Sequence, residues 1–194
     1  MGTNESISGP TANESRMISH ASISARLDLP AVFKRDKGFW NVVSIHEPTM
    51  PKASVQGVKR VHYSAFDDVD NAAEGLERGM VPVRTAQVRA IFDFANETHP
   101  QGLLIQCRMG QSRSTGIALA LIVRGLVQSG EIKPTERAVE LLLQVRRQAM
   151  PNALVLQLAL ESFISVEQAK GLTSELVNHP RLMENRFLNR RSQP

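Results

Sequence analysis

The sequence predicts an α/β fold: one domain with a central, mainly parallel β-sheet of about four strands, flanked by helices. Three observations carry this reading. Short apolar runs rich in β-branched residues recur through the first half of the chain, as strands require. Segments with helical spacing, a dozen or more residues long, separate and follow them, and strands joined through helices belong to a parallel sheet covered on both faces. The length of 194 residues is that of one ordinary domain, with no internal repeat or linker to divide it. A chain of this size buries roughly 70% of its unfolded surface, enough to fold without a disulfide or metal staple.

Residues 1–15, rich in Ser, Thr, Asn and Gly, read as a flexible leader. Ser15 to Leu27 predicts an edge strand. Asn41 to Ile45 and Gly57 to Phe66 carry the β-branched and aromatic residues that suit a pleated, half-buried surface. Leu103 to Cys107, after the turn Pro100-Gln101-Gly102, has the unbroken apolarity of a buried central strand. Val88, Ile91, Phe92 and Ala95, and again Ala138, Leu141, Leu142 and Val145, fall at the spacing of one helix face. Ile117 to Val127 is apolar nearly all round, so its helix should be covered on most sides. Thr135 and Asn152 stand where N-caps belong. Pro151 stops the helix before it, leaving a last amphipathic helix over Ala153 to Val166. The domain proper is therefore expected over residues 16–170. Residues 171–194 would be a C-terminal extension with a short helix at most, broken at His179-Pro180 and loosely held.

Composition excludes several classes. A single cysteine, Cys107, rules out an intramolecular disulfide framework and a multi-thiolate zinc site, and fits a reducing, cytoplasmic setting. Arg113 and Arg124 bracket the longest apolar run, Gly116 to Val123, which is far short of a membrane span. Net charge is +4, unevenly spread: residues 1–106 carry net −1 and residues 107–194 net +5, so an anion would be drawn to the second half. With one Trp and one Tyr, stacking platforms for bases are scarce, which argues against nucleic acid. His20, His46, His62, His99 and His179 are dispersed without metal-ligand spacing, and no metal site or cofactor is expected.

The chemistry centres on Gln106-Cys107-Arg108-Met109-Gly110-Gln111-Ser112-Arg113-Ser114-Thr115-Gly116. Cys107 ends the buried strand and the apolar helix begins about five residues later, so the intervening loop sits at a helix N-terminus. Unpaired N–H groups and the positive end of the helix dipole favour an anion there, and reactive thiols are found in such fields. Arg113 returns to the rim, where its planar fork can hold two phosphate oxygens. Gly110 allows a tight turn.

These residues carry a resemblance. Cys-x5-Arg-Ser between strand and helix is similar to the phosphate-binding loop of cysteine-dependent protein tyrosine and dual-specificity phosphatases. The resemblance is closer to a compact bacterial family of that superfamily. Val42-Val43-Ser44-Ile45-His46-Glu47-Pro48, Phe66-Asp67-Asp68-Val69, the Leu103–Thr115 loop and Pro151-Asn152 match it in order, across roughly residues 15–165. The resemblance implies that Cys107 attacks phosphorus to form a cysteinyl-phosphate. Arg113 and the amides of Arg108, Met109, Gly110, Gln111 and Ser112 would hold the phosphate oxygens, and Ser114 would assist the thiolate. It places the general acid on an upstream loop, where Asp68 fits best and Asp67 and Asp70 remain candidates. The implied partner is a phosphorylated protein or another phosphomonoester.

The chain departs from the family at two positions: Gln106 stands where it usually has His, and Met109 where a small residue is expected. Two enzymatic rivals and one non-enzymatic one follow. Asp68-x-Asp70 resembles the nucleophile motif of Mg²⁺-dependent haloacid dehalogenase-type phosphatases, but in the wrong part of the chain and without the expected Thr or Val at Ala72. A rhodanese-like sulfurtransferase would need neither Arg-Ser nor an upstream acid. A catalytically weakened relative could instead serve as a phosphoprotein- or anion-binding module.

Overall fold

The computed structural model describes residues 21–97 and 102–191. The leader, Ser15 to His20 of the expected first strand, His99, the Pro100-Gln101 turn and residues 192–194 lie outside that description. Strands β1 (Ala21–Ala25), β2 (Trp40–His46), β3 (Arg60–Ala65) and β4 (Gly102–Cys107) form one sheet in the order β1-β4-β2-β3. Every neighbouring pair is parallel, with Ala25 opposite Cys107, Ser44 opposite Gln106 and His46 opposite Ala65. Of the strand expected at Ser15–Leu27, Ala21–Ala25 is an edge strand and Arg26–Asp28 form a helical turn instead, and β4 is central.

Side chains alternate across this sheet, as a period of two requires. Val43, Ile45, Leu103, Ile105 and Cys107 join the large core on one face, while Trp40, Val42 and Leu104 join a smaller cluster on the other. The faces are covered unequally. The small cluster is closed by α1 (Leu29–Arg35) and by Ala53, Val55 and Val58 from the segment after β2. The large one is covered by α3 (Thr85–Asn96), which follows the short α2 (Ala72–Glu77), and by the helices that succeed β4. Of those, α4 (Arg113–Gln128) is buried from Arg113 through Gly125, the enclosure its all-round apolarity predicts. Packed on it are α5 (Thr135–Val145) and α6 (Ala153–Leu160), then α7 (Val166–Val177) and α8 (Pro180–Arg191).

Several boundaries differ from expectation for identifiable reasons. α1 and α2 are helices that the pattern did not predict; α2 is held by Asn71, whose side chain accepts from the amides of Ala73 and Glu74. Pro134, not Thr135, occupies the cap position of α5, where a fixed φ and a missing N–H cost nothing. α5 ends at Val145 because Arg146 is extended, well before Pro151. α6 stops at Leu160 rather than Val166. The Ser162 hydroxyl donates to the Ala159 carbonyl at 2.6 Å, and Ser165 with Gln168 then forms a capping box that starts α7.

The C-terminal segment is two helices, with α7 running through position 171. Leu176 and Leu182 are fully buried. Pro180 opens α8, a position in the first turn where proline is tolerated. Replacing Leu182 with Ala should therefore lower unfolding stability by about 2–5 kcal/mol, the usual cost of emptying a closed core site. A denaturant midpoint that barely moved would show that α8 is not docked.

Candidate active site

In an all-parallel sheet the C-terminal ends of the strands meet at one edge, where ligands bind in such folds. Here that edge collects Arg26 after β1, Glu47 after β2, Phe66 to Asp68 after β3 and the Cys107 loop after β4. Glu47, Asp68, Cys107, Arg108, Met109, Gln111, Ser112, Arg113 and Met150 line a cleft of about 500 Å³.

The loop turns its carbonyls outward. The Arg108 carbonyl accepts from the Arg26 amide at 3.2 Å, and that of Met109 from Arg146 Nη2 at 2.9 Å. The Gln111 carbonyl accepts from the Met150 amide at 2.7 Å and from the Thr115 hydroxyl. That of Ser112 accepts from the amides of Gly116 and Asn152, at 2.9 and 3.3 Å. In contrast, none of the amides of Arg108, Met109, Gly110, Gln111 and Ser112 donates to an acceptor among the described residues. Successive amides left open in this way form an anion-binding nest. Gly110 makes the turn possible. Its φ is +64°, and a Cβ there would lie 2.6 Å from the backbone of Ser24 in β1.

Cys107 is 2% exposed and lies at the cleft floor, with Sγ 3.2 Å from Ser114 Oγ in the first turn of α4. Gln106 points away from this centre: it is buried and its side-chain amide donates to Ser44 on β2 at 2.5 Å. The Met109 side chain is 55% exposed at the rim.

Arg113 is only 2% exposed, and its charge is met from two strands. Nη2 donates to Glu47 Oε1 at 2.6 Å and Nη1 to the Phe66 carbonyl at 2.8 Å. The Nε–H has no hydrogen-bond partner among the described residues; Asp68 Oδ2 lies 3.8 Å away. Burial pushes the Glu47 carboxyl up, but its own backbone amide, the charge and hydrogen bond of Arg113 and the charge of Arg108 outweigh burial, and the group sits below its ordinary value.

The three candidate acids have different surroundings. Asp67 is tied away from the cleft, its carboxylate accepting from the Val81 amide at 2.7 Å. Asp70 accepts from the Ala153 amide at the start of α6 at 2.8 Å, with Arg186 of α8 3.9 Å away. Asp68 alone of the three lines the cleft. Its Oδ1 accepts from Ser112 Oγ at 2.7 Å and from Asn152 Nδ2 at 2.9 Å, leaving Oδ2 on the side of Arg113. Asn152 also donates to the Val69 carbonyl at 3.0 Å and caps α6 through Val155.

Two residues of this network were not among the expected site residues. Glu47 lay within the resembling segment but carries no chemistry in a linear reading, and Asn152 was visible only as a helix cap. A supporting layer comes from α8, where Asn185 donates to the carbonyls of Arg147 and Ala149, and Arg186 to that of Pro151. These bonds fix the segment that carries Arg146, Met150 and Asn152. His46 and His62 lie on the sheet and His179 pairs with Glu136; His20 and His99 are outside the described residues. Among the described residues no group of three His, Cys, Asp or Glu side chains is placed to hold a metal ion, and no helix is long and apolar enough to cross a membrane.

The fold is the one seen in solved dual-specificity and tyrosine phosphatases. Among solved structures the chain resembles DUSP15, with 18% identity over 80% of this chain and 91% of that one and a TM-score of 0.52. It also resembles the Cydia pomonella PTP-2 phosphatase, with 15% identity over 78% and 92% of the two chains and a TM-score of 0.51. By sequence, no family model and no curated protein matches.

Glu47→Gln should destabilise the protein by about 1–3 kcal/mol at neutral pH. This is less than the roughly 3–5 kcal/mol for breaking a fully buried pair, because Gln keeps a hydrogen bond and Glu47 is partly exposed. The folded-state value lies below the ordinary 4.5, so the charged carboxylate stabilises above that pH and the contribution is lost as pH falls through the folded value. Chemical denaturation at about pH 7 and well below the ordinary 4.5 should show the larger deficit at the first. An equal deficit at both would mean that charge plays no part.

Proposed function

We propose that this protein is a cysteine-dependent phosphomonoester hydrolase of the protein tyrosine or dual-specificity type, acting on a phosphorylated protein or another phosphomonoester. The observation that carries the reading is the set of donors around one thiol. The loop amides lack acceptors, and a buried guanidinium with five N–H donors spends two of them on Glu47 and Phe66. A phosphate dianion is the ligand that such a nest and fork suit.

In the first step the Cys107 thiolate attacks phosphorus, an S–P bond forms and the P–O bond to the leaving group breaks. The departing oxygen takes a proton from Asp68, whose Oδ2 is the oxygen free of the Ser112 and Asn152 bonds. Arg113 and the loop amides balance the charge on the equatorial oxygens. In the second step water attacks phosphorus and gives its proton to the Asp68 carboxylate. The S–P bond breaks and Cys107 leaves as thiolate, accepting a hydrogen bond from Ser114 at the 3.2 Å separation seen here. The PTP-2 phosphatase among the chain's fold neighbours agrees with this chemistry at the level of the fold.

Hydrolysis of small aryl phosphates in EDTA across about pH 5 to 8 tests the proposal. Turnover should be abolished in Cys107→Ser. In Asp68→Asn it should fall at least about tenfold, with the largest loss for poor leaving groups, since general acids contribute about 10²–10⁴-fold. An unchanged rate in Asp68→Asn would remove Asp68 from the acid role. Phosphate binding without turnover by the wild type would make the chain an anion- or phosphoprotein-binding module instead.

A further inference from the structure

Of the three acidic residues after β3, Asp70 has no part in the chemistry derived above, yet its carboxylate is met on both oxygens. Oδ1 accepts from the Ala153 amide in the first turn of α6 at 2.8 Å, and Oδ2 lies 3.9 Å from Arg186 Nη1. A carboxylate suits that place, since the first amides of a helix are open donors and the helix dipole is positive there. Arg186 reaches the same spot from α8. Its Nη2 donates to the Pro151 carbonyl at 2.8 Å, so one guanidinium faces both the Asp68 loop and the segment that opens α6.

The Asp68 loop depends on such holding. The Asp67 amide donates to the Val81 carbonyl at 2.8 Å, but among the described residues none of the amides of Asp68, Val69 and Asp70 donates to a backbone carbonyl. Without a backbone ladder the loop takes its place from side chains. On one side Val69 packs against α2 at Gly75, where a Cβ would come within 3.0 Å of it. On the other, apart from Ser112, the bonds come from one short segment: Asn152 donates to Asp68 Oδ1 and to the Val69 carbonyl, and Ala153 donates to Asp70. Asp68 and Asp70 are thus held by successive residues, so slack at Asp70 passes to Asp68. The ion pair with Arg186 contributes little by itself, because Asp70 is 57% exposed. What Arg186 adds is a joint hold on Pro151 and Asp70, which a planar fork can give and a single ammonium cannot.

We propose that Asp70 and Arg186 are positioning residues, a clamp that fixes the loop carrying Asp68 to the start of α6 and so keeps the Asp68 carboxyl where it can reach the leaving group. The proposal rests on the acid role of Asp68. Neither residue is bonded to Cys107 or Arg113, so the clamp governs protonation of the leaving group and leaves phosphate binding alone.

The test compares kcat/KM, which reports the steps through departure of the leaving group, for phenyl phosphate and for dinitrophenyl phosphate, whose phenolate leaves without a proton. Asp70→Ala and Arg186→Ala should each lower the value for phenyl phosphate by about tenfold and that for dinitrophenyl phosphate by less than about twofold, since small misplacement of a reacting group costs up to about 10²-fold. Asp70→Asn keeps an acceptor for the Ala153 amide and should lose less than Asp70→Ala, whereas a residue that itself gave the proton would lose as much either way. In an Asp68→Asn background neither alanine change should cost more. Arg181→Ala, which removes an exposed arginine of the same helix, should leave both values unchanged. An equal loss with both substrates, a further loss on top of Asp68→Asn, or an Asp70→Asn loss that matches Asp70→Ala would overturn the clamp. If the wild type turns over neither substrate, the enzyme reading fails and NMR decides the clamp alone. Arg186→Ala should then shift the Ala153 amide and Asn152 side-chain amide signals and leave in place that of Val81, whose amide is bonded to Asp67. Unmoved Ala153 and Asn152 signals would overturn the clamp.

Discussion

A guanidinium removed from water keeps its charge only if the fold supplies compensation, and Arg113, 2% exposed, obtains it from two strands at once. Glu47 directly follows β2, Phe66 directly follows β3, and Arg113 opens α4 beyond β4, so one side chain joins three segments at the sheet's C-terminal edge. The charge is thus held at a fixed place before any ligand arrives. That pre-setting is what makes a fork effective toward a phosphate, since no reorganisation is needed when the anion enters.

The remaining site follows from the same edge. β1 supplies the backbone against which Gly110 packs, and Arg26, directly after it, the amide that fixes the Arg108 carbonyl, while the loop's own amides stay unclaimed among the described residues. From the opposite side, Asn152 holds the Phe66–Asp70 segment against the loop, and α8 holds the segment that leads to Asn152. The C-terminal helices are remote from Cys107 in sequence, yet through two layers of hydrogen bonds they set where the Asp68 carboxylate lies. A helix at the chain's end here positions side chains of the cleft as well as covering the core.

The parts of this arrangement that are local in sequence were legible in advance. Cys107 and Arg113 are six residues apart on a strand, a loop and a helix start, each with its own pattern, and the central strand and the enclosed α4 read directly from apolarity. Glu47 and Asn152 were not legible as site residues, because their partners lie 66 and 84 positions away and nothing in a linear pattern pairs them. The short α1 and α2 escaped notice because six or seven residues carry little periodicity. The break after Leu160 escaped because Ser162 and Ser165 act through caps inside a run whose hydrophobic spacing continues. Asp67, Asp68 and Asp70 are neighbours in sequence, and only the fold shows which backbone amide or side chain claims each carboxylate.

The most direct measurement of the central claim is the affinity of Arg113→Lys for inorganic phosphate or vanadate, with circular dichroism to confirm that the variant is folded. Lysine keeps the charge beside Glu47 but cannot present the planar fork, so binding should weaken by about tenfold to a hundredfold while the fold persists. Undiminished affinity in a folded Arg113→Lys protein would contradict the account, because the anion would then be held without the group on which the whole edge of the sheet converges.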